Sequence, residues 1–234
     1  MKFKTFYSIA ALSVVLLISA CNQNGANSTE ATLDTKVDSV SYALGYQNGK
    51  FLTQQGITDL NSNAFSAGLN TGLSDADAQI SDMEAQQVIQ SYIQEISMQQ
   101  GSENLEEGES FLAENLENED VVETESGLQY KVIEEGTGES PSATDVVRVD
   151  YEGKLVNGEI FDSSYQRGEP IEFPLSGVIP GWTEGVQLMK EGATYEFYIP
   201  GNLAYGENPP QGSPIGPNAT LIFKVELLEI NPEE

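Results

Sequence analysis

The hydrophobic period of this chain changes near Ser126, and that switch limits the folds open to it. Upstream, apolar residues recur at helical spacing. The clearest run opens at Ser81-Asp82-Met83-Glu84, which has the spacing of a capping box. It continues through Ala85, Val88, Ile89, Tyr92, Ile93 and Ile96 in i, i+3, i+4, i+7 order and predicts a long helix. Looser helical patterns cover 36–57 and 63–73, where Gly68 and Gly72 would allow helices to approach closely. Past Gly101 the pattern weakens into Glu-rich sequence, so the helix either continues or hinges there. Downstream of Ser126 the period becomes two. Leu128, Tyr130 and Val132 alternate with polar residues, then Val147, Val149 and Tyr151, then Tyr195, Phe197 and Ile199, and last Leu221, Phe223, Val225 and Leu227. Asn157-Gly158 is a hairpin turn signal. One helix interrupts the strands, predicted over 181–190 from Trp182, Val186 and Met189, with Pro180 at its start and Gly192 at its exit. The fold class is therefore α+β: a helical module, then an antiparallel sheet wrapped around one short helix.

Three helices in a short segment make a thin core. The apolar stripe over 85–96 predicts a partner chain, and residues 33–120 read as a homodimerisation module whose long helix connects to a second domain over 124–232.

Composition closes off several chemistries. Thirty-seven acidic residues against ten basic ones give a net charge of −27, which repels phosphates and argues against nucleic acid. With no histidine there is no His-metal site, His general base or Ser-His-Asp triad. The single cysteine, Cys21, excludes an intrachain disulfide and a cysteine-cluster metal site. It follows Lys2, Lys4 and a short apolar run ending Ile18-Ser19-Ala20. Residues 1–20 thus read as a signal peptide resembling that of bacterial lipoproteins, with the lipid carried on Cys21; a plain secretory peptide cut near Ala20 is the alternative. Residues 21–32 are small and polar, as in a flexible tether.

Five phrases in the second half stand in order: Val149-Asp150-Tyr151-Glu152-Gly153, Gly158-Glu159-Ile160-Phe161-Asp162-Ser163-Ser164, Val178-Ile179-Pro180-Gly181-Trp182, Leu203-Ala204-Tyr205-Gly206 and Ala219-Thr220-Leu221-Ile222-Phe223. Together they resemble the FKBP-type peptidyl-prolyl cis-trans isomerases. The helical module and Phe111-Leu112-Ala113-Glu114-Asn115 are similar to the macrophage infectivity potentiator-like subgroup, whose N-terminal helices dimerise.

The resemblance implies rotation of Xaa-Pro bonds without cofactor or metal. Trp182 would form the floor of a proline pocket, with Tyr151, Phe161, Phe173, Val178, Ile179 and Phe223 as walls. The Tyr205 hydroxyl and the Ile179 N–H would donate to substrate. Asp162 would stand beside the rotating carbonyl, held by Tyr151 and Arg167. Ile171 stands where many members carry an aromatic, which leaves one wall looser. In the proline-rich loop after Tyr205, Ile215 is the candidate apolar contact. The expected clients are proline-containing unfolded or nascent envelope proteins, met by a protein lipid-anchored at a membrane and facing the periplasm. A non-catalytic holdase and a proline-binding scaffold are the other readings; Tyr151, Asp162, Trp182 and Tyr205 together argue against a degenerate pocket.

Overall fold

A computed structural model describes residues 30–74, 76–210 and 212–232. The signal segment 1–20, Cys21 and most of the tether lie outside the described residues. The helical half opens with α1 (Lys36–Gln54) and α2 (Ser62–Gly72), capped by Thr35 and Asn61. The long helix α3 (Asp82–Asn115) begins at the Ser81/Glu84 capping box, with both reciprocal bonds made. It runs unbroken through Gly101, so the chain has no hinge at that point. A helical glycine costs about 1 kcal/mol relative to alanine. Here it is offset by packing, since Gly101 is buried against Pro217 and Asn218.

Neither α1 nor α2 buries any residue. Val37, Val88 and Ile89 are more than half exposed. Gly68 and Gly72 face open space, so the close approach expected there is not made within one chain.

The second half forms one seven-stranded antiparallel sheet from β1 (Val121–Glu123), β2 (Gln129–Glu134), β3 (Val146–Leu155), β4 (Ile160–Ser163), β5 (Ile171–Pro174), β6 (Thr194–Ile199) and β7 (Leu221–Ile230). The order is β1-β2-β6-β7-β3-β4, and β5 pairs with the first half of β3 beside β4. A one-turn helix α4 (Ser164–Arg167) follows β4, and α5 (Pro180–Gln187) lies against the sheet. Pro180 does occupy the first turn of α5. The helix ends earlier than predicted, and Gly192 instead turns the chain into β6, its N–H donating to Leu227. β1 carries no alternating period of its own; it forms by pairing Val121 with Lys131 on β2.

Trp182 and Val186 on α5 share one core with Val147, Phe197, Leu221 and Val225 from the sheet and Leu128 just before β2. Gln129 is almost fully buried yet satisfied. Its Nε2 donates to the Leu112 carbonyl in the last turn of α3, and its Oε1 accepts from Asn115. Phe111 adds a tilted ring contact with Tyr198 on β6. Through these bonds the end of α3 is fastened to the outer side of the sheet.

Candidate active site

A cavity of about 460 Å³ opens between α5 and the strands. Its floor is Trp182, which is 5% exposed. Three rings meet the indole edge to face: Tyr151 at 5.4 Å, Phe173 at 5.3 Å and Phe223 at 5.1 Å. These are favoured aromatic geometries, worth about 0.5–1.5 kcal/mol each beyond the buried area. Phe161 stands against Phe223 at 5.4 Å. Gly153 on β3 makes that contact possible, because a Cβ there would lie 2.7 Å from both rings. Val178 and Ile179, between β5 and α5, complete the wall with Ile171 and Gly177.

The polar side of the cavity is Asp162, at the end of β4. Its carboxylate accepts from the Tyr151 hydroxyl and from Arg167. Arg167 also donates to the Tyr151 oxygen at 3.0 Å and lies over the Tyr151 ring. The guanidinium is delivered by α4, whose cap is the Ser163 side chain. The Ser164 hydroxyl, fully buried, accepts from the Tyr151 N–H and donates to Asp150, fixing α4 on β3. Asp162 and Arg167 are each roughly two-fifths exposed, so water screens the pair and its contribution to stability is small. Its effect is orientation. Burial and the hydrogen bond to Asp162 push the Tyr151 phenol up to about 12. Burial, and then the Asp162 charge, also raise the Tyr205 phenol.

Tyr205 comes from the loop after β6 and lines the same cavity. Among the described residues no hydrogen-bond partner faces its hydroxyl, and none faces the Ile179 N–H. Both donors are therefore open to a guest. The cavity thus offers an aromatic-lined cleft, two open donors and one oriented carboxylate. Such a set can bind and polarise an amide, and it has no nucleophile–base pair to cleave one.

Ten of the residues singled out in the sequence line this one cavity: Tyr151, Phe161, Asp162, Ile171, Phe173, Val178, Ile179, Trp182, Tyr205 and Phe223. Arg167 reaches it through Asp162. Ile215 is placed elsewhere: it is 7% exposed, packs on the core and lines a separate cleft facing Ile93 and Ile96 of α3. Its apolar side chain is taken up by the domain interior and the helical module and does not reach the pocket. Gly177 went unread in the sequence, since a glycine ending a short turn carries no signal of its own.

Two family models match the chain. One, the FKBP-type peptidyl-prolyl cis-trans isomerase, covers residues 137–228. The other, the domain amino terminal to FKBP-type peptidyl-prolyl isomerase, covers 37–132. The chain is 43% identical over 204 residues to the probable FKBP-type peptidyl-prolyl cis-trans isomerase FkpA of Neisseria meningitidis, covering 83% of this chain and 74% of that protein. It is 40% identical over 210 residues to the outer membrane protein MIP of Legionella longbeachae, covering 86% and 89%. The crystal structure of FkpA from Escherichia coli superposes with a TM-score of 0.62 at 35% identity, covering 86% of this chain and 99% of that one.

Proposed function

The chain belongs to the FKBP-type peptidyl-prolyl cis-trans isomerase family, and from that premise we propose how its pocket turns an Xaa-Pro bond. The barrier is about 18–20 kcal/mol because rotation breaks the resonance between nitrogen and carbonyl. A planar amide is more dipolar than a twisted one, so a dry aromatic enclosure favours the twisted form. A millionfold acceleration asks for only about 8 kcal/mol of such preference.

The proline ring seats on Trp182 between Tyr151, Phe173 and Phe223. The Tyr205 hydroxyl and the Ile179 N–H hold the peptide oxygens of the substrate. Asp162, held by Tyr151 and Arg167, faces the carbonyl that rotates. No proton changes hands and no covalent bond forms. The observation that carries this reading is the convergence of five aromatic rings and two open donors on one oriented carboxylate.

The helical module, 33–120, serves as a homodimerisation unit, and 124–232 is the catalytic unit. The support is the exposed apolar face of α1, α2 and α3. Two protomers then present two pockets to one client, raising apparent affinity through effective concentration. A lipid on Cys21 anchors the protein at the cell envelope facing the periplasm, where its clients are unfolded proline-containing proteins. The sequence around Cys21 and the outer-membrane name of the Legionella relative support that placement.

The test is Asp162→Ala in the full chain. The expected result is a fall in kcat/KM on Xaa-Pro peptides with an unchanged circular dichroism spectrum. Parental activity would remove the carboxylate from the mechanism.

A further inference from the structure

One peptide group links helix α3 to the backbone beside Tyr205. Gly101 and Gly108 are the buried residues of α3. A Cβ at Gly108 would lie 2.2 Å from Thr220 Oγ1, and one at Gly101 would lie 3.3 Å from Pro217 Cβ. The helix backbone therefore lies directly on segment 216–220. Between the two glycines, Asn104 donates its Nδ2 to the Pro217 carbonyl at 2.8 Å. The N–H on the other edge of that same peptide group belongs to Asn218, and it donates to the Gly206 carbonyl at 2.7 Å. Asn218 adopts a left-handed conformation, φ 55°, and its side chain returns to the Gly101 carbonyl at 3.4 Å. Gly206 directly follows Tyr205, and its own N–H is held by the Gly201 carbonyl at 2.9 Å.

A peptide group is planar, so holding its oxygen from one side sets the direction of its N–H on the other. Bonds in series through one amide also polarise and strengthen each other. The Gly206 carbonyl is thus held at a position set by the Asn104 amide, and the backbone that aims Tyr205 is held with it. Resting on the reading of Tyr205 as a donor to substrate, we infer that Asn104 is a positioning residue of the isomerase reaction. Through it the helical module sets the aim of the Tyr205 hydroxyl. Asn115 provides an internal control. It fastens the same helix to Gln129 on β2 and makes no contact with the Tyr205 loop.

The experiment uses the full chain and steady-state kinetics on an Xaa-Pro peptide. Asn104→Asp keeps the side-chain shape and removes the donor; Asn104→Ala removes both. Each is expected to lower kcat/KM by roughly threefold to tenfold, the usual size of one lost hydrogen bond, with the loss mainly in kcat. Asn115→Ala is expected to keep the parental kcat/KM. In a Tyr205→Phe background, Asn104→Asp is expected to add no further loss, because both changes act on one hydroxyl. Full additivity would overturn the inference, as would an equal loss in Asn115→Ala. Parental activity in Asn104→Asp beside a clear loss in Tyr205→Phe would overturn the inference and leave the Tyr205 reading standing. Parental activity in Tyr205→Phe would overturn that reading and the inference with it.

Discussion

Replacing Trp182 by alanine should damage stability and substrate binding together, because one indole serves both. Truncating a buried large aromatic usually costs about 3–5 kcal/mol, and the three edge-to-face ring pairs lost here place the change in that range. For a unit of this size each kcal/mol moves Tm by about 4–8 °C, so a fall of roughly 12–40 °C is expected. The binding loss follows from the proline ring. Its three methylenes are worth about 0.8 kcal/mol each when fully buried, roughly 2.4 kcal/mol together. Covering one face only would give about half. KM for a short peptide should therefore rise between about sevenfold and fiftyfold. Thermal unfolding followed by circular dichroism, with kinetics measured well below the lowered Tm, separates the two effects. Trp182→Phe, which keeps an aromatic floor, should lose less of each. A Trp182→Ala protein with parental Tm and parental KM would refute the placement of the indole as a wall shared by core and pocket.

Activity should be flat between about pH 6 and 9, since the chain has no histidine and both pocket phenols are raised above their ordinary value of 10.0. The neutral Tyr151 phenol contributes stability that is fully present below pH 10 and lost as pH rises towards about 12, so a pH series of Tm should decline only there. Asp38 and Glu84, each lowered by bonds to its helix cap, act in the opposite direction. Their contribution is present above 3.8 and 4.5 respectively and is lost as pH falls, as is that of Asp145, lowered by bonds from Ser142 and Asn231, so both halves of the chain should lose stability in acid. Val88→Glu with Ile89→Glu, both on the exposed apolar face of α3, should convert a dimeric parent to monomer by light scattering, with peptide activity kept and refolding of a protein client slowed. A monomeric parent would refute the dimer, and a monomeric variant that refolds clients at the parental rate would refute its purpose.

The pocket was legible because its residues sit in short phrases with their own local logic. Tyr151 alternates along β3, Phe161 and Asp162 follow a hairpin signal, and Pro180 opens the helix that carries Trp182. What escaped reading depends on contacts distant in sequence. Gly101 reads equally as hinge or helix until Pro217 and Asn218 are seen packed on it. Ile215 sits in a loop without period, so nothing local says which side it faces, and it lines the cleft against α3. The helical turn that ends at Arg167 left no mark in the sequence, because four residues have no room for an apolar stripe. Asn104 lies in Glu-rich sequence with no periodic mark, and its partner is 113 residues away.

The most direct measurement is exchange spectroscopy by NMR on an Xaa-Pro peptide with the full chain in chelator-treated buffer, which observes the rotation itself. The cis–trans exchange rate should rise in proportion to added protein while the cis:trans ratio of the free peptide stays constant. Peptide resonances that shift on binding while the exchange rate keeps its uncatalysed value would contradict catalysis and leave a proline-binding protein instead.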